Sequence, residues 1–181
     1  MTTYNPLDTG EVLDAIDARR AAVVTIAKGE IGDQKKGSPI VLGYWRDVGV
    51  LDAAGKPCND WQVRQIAGCI PPAKGREWCQ TFALWCYHAA NLTREPARLG
   101  TTFARKLPRT RAPEPGDLVL YPGALGHHGI LEERYERNGR IWIRTIEGNT
   151  PTVVRRDAPE RTGIAYYSIL PWIKSALEIL Q

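Results

Sequence analysis

The sequence predicts an α+β fold, with helices from the first half of the chain packed on an antiparallel sheet built from the second. Three observations carry this. Residues 11–31 and 76–91 read as helices, residues from 116 onward alternate with a period near two, and no strand–helix–strand alternation runs along the chain. With 181 residues, 43% of them hydrophobic and 24% charged, the chain has the length and composition of a single globular domain. We therefore treat 1–181 as one unit.

In EVLDAIDARRAAVVTIAKGEI, residues 11–31, Val12, Ile16, Val23, Val24, Ala27 and Ile31 recur at spacings of three, four and seven, which line up on one face of a helix. Gly29 and Gly32 set its end. From Asp33 to about Pro72 the chain is rich in Gly, Pro, Lys and Asp around an apolar island, IVLGYW, and reads as loop and short turns laid over the core. The run REWCQTFALWCYHAAN, residues 76–91, follows PPAKG and has no internal Gly or Pro, so it predicts a buried helix. The short β-branched and aromatic runs DLVLY, HHGILEERY, RIWIRTIEG, TVVRR and TGIAYY, separated by Gly, Pro and Asn-Gly, predict the antiparallel sheet. Last comes PWIKSALEIL, a helix opened by proline. No internal repeat, low-complexity tract or linker interrupts this order.

Composition excludes several classes of function. Lys plus Arg number 24 against 20 Asp plus Glu, a formal net charge of +4, and the basic residues are scattered among acids rather than gathered into a stripe with aromatics. Nucleic acid is therefore not an expected partner. No window approaches the roughly 18 apolar residues of a membrane span, and MTTYNPLDTGEV lacks a basic region followed by an apolar one. Neither a membrane anchor nor a signal peptide is expected. The four cysteines, Cys58, Cys69, Cys79 and Cys86, are too few for a disulfide scaffold and form no C-x-x-C pair.

Cys79 falls at the start of the buried helix, where unpaired backbone N–H groups and the helix dipole favour thiolate over thiol. A free cysteine also serves as core filler, and that reading suits Cys86, two turns deeper on the same side. A cysteine nucleophile needs a base, and the sequence holds three histidines. His88, nine residues beyond Cys79, points to the opposite side of the helix at about 100° per residue and is expected to be solvated or otherwise satisfied. His127 and His128 are neighbours on an extended run, so their side chains face opposite sides of the sheet and only one is expected to face the cysteine.

IEGN, on the next strand, supplies Glu147 and Asn149 as groups able to hold a histidine in the required tautomer. Register decides whether they reach it. A plain two-residue turn at Asn138-Gly139 would pair 127 with 150 and turn Glu147 away. A three-residue loop, or an equivalent bulge, would pair 127 with 149 and bring Glu147 onto the same face, diagonal to His127. The catalytic reading therefore predicts the loop or the bulge; the alternative for Glu147 and Asn149 is a strand end entering a turn.

Together these residues resemble the CHAP family, the cysteine, histidine-dependent amidohydrolases and peptidases of bacterial cell walls. Trp78 to Cys86 resembles its nucleophile helix, Pro115-Gly116-Asp117 followed by LVLY its Pro-Gly-Asp strand, Gly126-His127-His128-Gly129-Ile130 its histidine strand, and Ile146-Glu147-Gly148-Asn149 its Glu-Gly-Asn strand. AKGEIG at 27–32 and GYW at 43–45 also fit, and the likeness covers roughly residues 12–170 in the family's order. It departs in a longer connection at 49–75, which holds Cys58 and Cys69, and in His128, which stands where the family has an aliphatic residue and leaves a swap of roles with His127 open.

The resemblance implies a papain-like fold, with Cys79 as nucleophile, His127 as base, Glu147 orienting the histidine and Asn149 as a supporting polar group. It implies acyl transfer through a thioester without cofactor or metal, the Cys79 N–H serving as first oxyanion donor. The substrate expected is bacterial peptidoglycan, cut at an amide bond as a muramoyl-L-alanine amidase or a crosslink endopeptidase. A phage endolysin fits best, made in the bacterial cytoplasm and acting on the wall as a monomer without a separate wall-binding module. A secreted antibacterial effector, a cysteine hydrolase of proteins and a non-catalytic binding module on the same fold are the alternatives.

Overall fold

The computed structural model of the chain describes residues 9–32, 43–44, 46–48, 78–94, 104–122, 126–150 and 152–178. These form an α+β structure of three helices and a six-stranded antiparallel sheet. The loop reading of 33–72, the 49–75 connection, Cys58 and Cys69 lie almost wholly outside the described residues; of that stretch, 43–44 and 46–48 are described.

The amphipathic segment near the start forms helix α1 (Thr9–Gly29), with Val23, Val24 and Ala27 buried as the periodicity requires and Arg20 buried beside them. The breaker-free apolar run forms helix α2 (Cys79–Ala89), in which Cys79 to Leu84 and Cys86 to His88 are all buried. Even its polar residues Gln80, Thr81 and His88 are buried, so the helix lies inside the fold on every side but the one that carries Trp85 and Ala89. The sheet comprises β1 (Arg109–Thr110), β2 (Leu118–Tyr121), β3 (His127–Arg137), β4 (Arg140–Thr150), β5 (Thr152–Pro159) and β6 (Ala165–Tyr167) in the spatial order β1-β6-β2-β3-β4-β5. Helix α3 (Leu170–Glu178) closes the described chain. The two-residue strand β1, which pairs with β6, has no counterpart in the sequence reading because two residues show no period.

Alternation along the strands divides the apolar residues between two faces. Leu118, Ile130 and Ile146 pack with Phe82, Ala83, Leu84 and Tyr87 under α2, whereas Val119, Tyr121, Leu131, Ile143 and Tyr166 cluster on the other face. Tyr44 packs its ring against Trp78, Phe82 and Trp85, and its hydroxyl donates to Glu30.

The Pro115-Gly116-Asp117 segment ties these layers together. Arg20 Nη1 donates to Asp117 Oδ1 at 2.7 Å and to the Pro115 carbonyl at 3.1 Å. The Asp117 carboxylate also accepts the N–H groups of Glu114 (3.0 Å) and Ile169 (3.1 Å). Tyr87 of α2 donates to the Gly116 carbonyl at 3.1 Å, and the Gly116 N–H donates to Leu131 of β3 at 2.7 Å. Gly116 has φ +89 and sits so close to Arg20 that a Cβ would lie 3.3 Å from its carbonyl oxygen, which explains the glycine. One buried carboxylate thus fixes α1, the entry to β2 and the start of α3 in a common frame.

Candidate active site

Two local features set the register that builds the site. The β3–β4 turn is the two-residue Asn138-Gly139, flanked by the pair Arg137↔Arg140, with φ of 54 and 70, the positive pair expected of a type I′ hairpin turn. Continued unbroken, that register would turn Glu147 away from His127. Instead it slips by one residue at a bulge between Leu131 and Glu133, after which Leu131 pairs with Thr145 and Ile130 with Ile146. Extending that register places Glu147 diagonal to His127. The extra residue, Glu132, is held by Lys28 of α1 (2.9 Å) and Arg155 of β5 (2.8 Å). Of the two routes open to the sequence, the chain takes the bulge.

Glycine at 148 lets β4 approach the nucleophile helix. A Cβ there would fall 2.6 Å from Trp78 Cζ3 and 2.9 Å from Phe82 Cβ, so the strand can lie against the first turn of α2 only without a side chain. Cys79 is the first residue of that turn. Trp78 precedes it without a side-chain cap, and the first helical bond runs from the Phe82 N–H to the Trp78 carbonyl at 2.9 Å. The Cys79 N–H therefore has no acceptor within the helix and is placed to serve an incoming oxygen.

On the sheet side, His127 Nε2 lies 2.8 Å from Glu147 Oε2. An ionised carboxylate only accepts, so the Nε2–H donates and Nδ1 is left for the thiol. Thr145 donates to the other Glu147 oxygen at 2.6 Å, which leaves the Tyr121 hydroxyl, 2.7 Å away, to donate to Thr145. Arg156 Nε stands 3.1 Å from Glu147 Oε2. Burial pushes the Glu147 carboxyl up, yet the bonds from His127 and Thr145 outweigh it and hold its pKa below the usual range.

The cysteine engages both histidines. His128 Nδ1 is 3.7 Å from Cys79 Sγ, and the His127 side chain and the His128 main chain are close enough to the sulfur to lower its pKa. This corrects the expectation that only one ring faces the thiol. The thiol thus responds to both rings and to the His128 main chain, although adjacent strand residues point to opposite faces. Burial alone would raise the Cys79 pKa; the bonds from the two histidines bring it down to about 6. Burial likewise lowers His127, but its bonds to Cys79 and Glu147 carry it up to about 9. Between those values the stable form is a thiolate beside an imidazolium, the resting state of an activated cysteine nucleophile.

Of the residues singled out in the sequence, Cys79, His127 and Glu147 thus converge. Asn149 lies on β4, and its side chain falls outside the described residues. Cys86 is wholly buried in the core with its thiol pKa pushed up by burial, and His88 is buried in the last turn of α2. Sequence reasoning missed Tyr121, Thr145 and Arg156. Thr145 was accessible through period-two parity with Glu147, whereas Arg156 arrives only through the pairing Thr145↔Arg156 between β4 and β5. Among the described residues no cluster of His, Cys, Asp and Glu has the makings of a metal site, and no helix is long and apolar enough to cross a membrane.

A polarised thiol, a histidine that can carry its proton, a carboxylate behind that histidine and a helix-start N–H without an acceptor among the described residues are the parts of a nucleophilic acyl-transfer site. Comparison of the chain with protein-family models, with curated proteins and with solved structures finds no match.

Proposed function

We propose that this chain is a cysteine amidase or peptidase that hydrolyses an amide bond of bacterial peptidoglycan, on a papain-like arrangement of the kind found in the CHAP domains it resembles. The observation that carries the reading is the convergence of Cys79, His127 and Glu147 from α2, β3 and β4, with the thiol pKa lowered and the histidine pKa raised. A core cysteine has no use for either shift.

In this mechanism the Cys79 thiolate attacks the amide carbonyl and the oxygen gains charge against the Cys79 N–H. His127 gives its proton to the leaving amine, and a thioester forms. Water then attacks the thioester, its proton passing to His127, and the acid leaves as the thiolate is restored. Glu147 keeps the His127 ring in the working tautomer and stabilises its charge. Neither metal nor cofactor has a step. A phage endolysin acting as a monomer on the wall is the setting that suits these parts best.

The test incubates purified peptidoglycan with wild type and Cys79→Ala and identifies released fragments by mass spectrometry. Fragments from wild type alone, their new termini naming the bond, are expected. Fragments from neither protein, with both folded and walls of several species tried, would turn the reading to a protein substrate or a binding module; fragments from both would remove the cysteine from the chemistry.

A further inference from the structure

The mechanism just given leaves His128 without a task, although its Nδ1 lies 3.7 Å from the nucleophilic sulfur. The two adjacent histidines differ sharply in setting. The His127 side chain is 25% exposed and tied to Glu147, so it meets solvent and has a carboxylate to balance its charge. His128 is 2% exposed, pairs across the sheet with Leu120 of β2, and occupies the face that packs under α2. At 2% exposure the His128 ring is less open to a leaving group or to water than the His127 ring. It can hold a hydrogen bond in place.

We propose that His128 is a positioning residue whose Nδ1–H donates to the Cys79 thiolate from the buried side, while His127 alone moves the proton. A thiolate only accepts, so the Nδ1 facing it carries the hydrogen. The titratable groups about the sulfur are then His127 and His128 of β3, with Glu147 of β4 acting through His127. In the reaction the thiol proton resides on His127 and passes to the amine, and the proton on His128 never leaves. The donor matters most in deacylation, when the sulfur departs from the thioester as an anion and His127 is occupied with the attacking water. His128 lowers the basicity of that leaving group. This inference rests on the thiol being the reacting atom, as proposed above, but not on the substrate being peptidoglycan.

Asparagine separates the roles, because its side-chain amide places an N–H where His Nδ1–H stood yet cannot shuttle a proton. The experiment follows the pH dependence of alkylation by iodoacetamide, read at Cys79 by peptide mass spectrometry so that Cys58, Cys69 and Cys86 do not contribute, in the wild-type parent, His128→Val and His128→Asn, with circular dichroism confirming the fold. Alkylation needs no substrate, so it judges His128 even if no wall is digested. We expect a midpoint near 6 in the parent, a rise to about 7 in His128→Val from loss of one charge-assisted hydrogen bond, and a return toward the parent value in His128→Asn. Should His128→Val fail to fold, His128→Asn decides alone: a parent-like midpoint supports the donor and a raised one overturns it. A His128→Val profile that superimposes on the parent also overturns it. Where the parent digests peptidoglycan, His128→Asn should retain turnover and His127→Asn lose it; the reverse would make His128 the proton carrier and end the proposal.

Discussion

At the scale of single residues, the site depends on two groups held out of their ordinary ranges in opposite directions. Cys79 titrates near 6 and His127 near 9, so the thiolate–imidazolium pair is present between those values. In the proposed mechanism the thiol regains its proton below about 6 and loses its nucleophilicity, and above about 9 His127 has no proton for the leaving amine. A bell-shaped profile of kcat/KM with limbs near those values is the expected outcome of steady-state assays across pH. In Glu147→Gln the carboxylate that raises His127 is gone, so the alkaline limb should move toward neutrality and the rate at pH 8 should fall on the order of tenfold. An alkaline limb that stays in place would show that Glu147 does not govern the histidine. Cys79→Ala should fold and be inactive, whereas Cys86→Ala should lose on the order of 1 kcal/mol in urea unfolding while keeping its activity per folded molecule. Equal loss of activity in both would undo the distinction drawn between a thiol at the helix start and a thiol in the core.

Between elements, register and close approach do what no single side chain does. Gly148 is the point at which β4 meets the start of α2, and Gly148→Ala would force a methyl into the Trp78 ring. The cost expected from overpacking is about 1–3 kcal/mol, read by thermal or urea unfolding. Activity should fall further than stability, because the displaced residues are the neighbours of Cys79 and Glu147. The bulge leads to a different forecast. Removing Glu132 leaves Leu131↔Thr145 and Glu133↔Arg144 as successive pairs of a regular ladder, so the diagonal between His127 and Glu147 survives. That deletion should cost little beyond its two ion pairs to Lys28 and Arg155, each worth at most about 1 kcal/mol at these partly exposed positions. Its activity should stay near that of wild type. A folded but inactive deletion would mean that the bulge aims β3 as well as taking up a residue.

For the molecule as a whole, the decisive group is the buried carboxylate of Asp117, which joins α1, the head of β2 and the start of α3. Breaking such a pair from one side strands the Arg20 charge in the interior, at a cost of roughly 3–5 kcal/mol. Against a typical stability of about 5–15 kcal/mol, Asp117→Ala should bring the urea midpoint down steeply and leave a chain that is marginal at 37 °C. Where it remains folded, Cys79 should alkylate as in wild type, since Asp117 makes no contact with the thiol among the interactions described. Loss of thiol reactivity in folded Asp117→Ala protein would place the motif in the site rather than in the frame.

The amino-acid sequence by itself determined the elements and the residue types at the site. The helical spacing of α1, the breaker-free run of α2, the alternating strands and the position of the Asn-Gly turn are local properties, set by neighbours within a few residues, and they were legible for that reason; the turn's two-residue form was not. So were Cys79 at a helix start and the need for a histidine and a carboxylate beyond it. What only the tertiary structure decided was which atoms meet. Whether Glu147 faces His127 turned on a one-residue slip at Glu132, which Lys28 and Arg155, distant in sequence, hold in place. The burial of Arg20, expected of no lone arginine on a helix face, follows from Asp117 nearly a hundred residues away. Arg156 reaches Glu147 through a strand pairing that no period announces. Strand alternation predicted that two adjacent histidines would point apart, yet one thiol responds to both rings and to the His128 main chain, because α2 brings Cys79 beside β3. Side-chain direction is a local property; what stands at the end of a side chain is decided by the packing of distant segments.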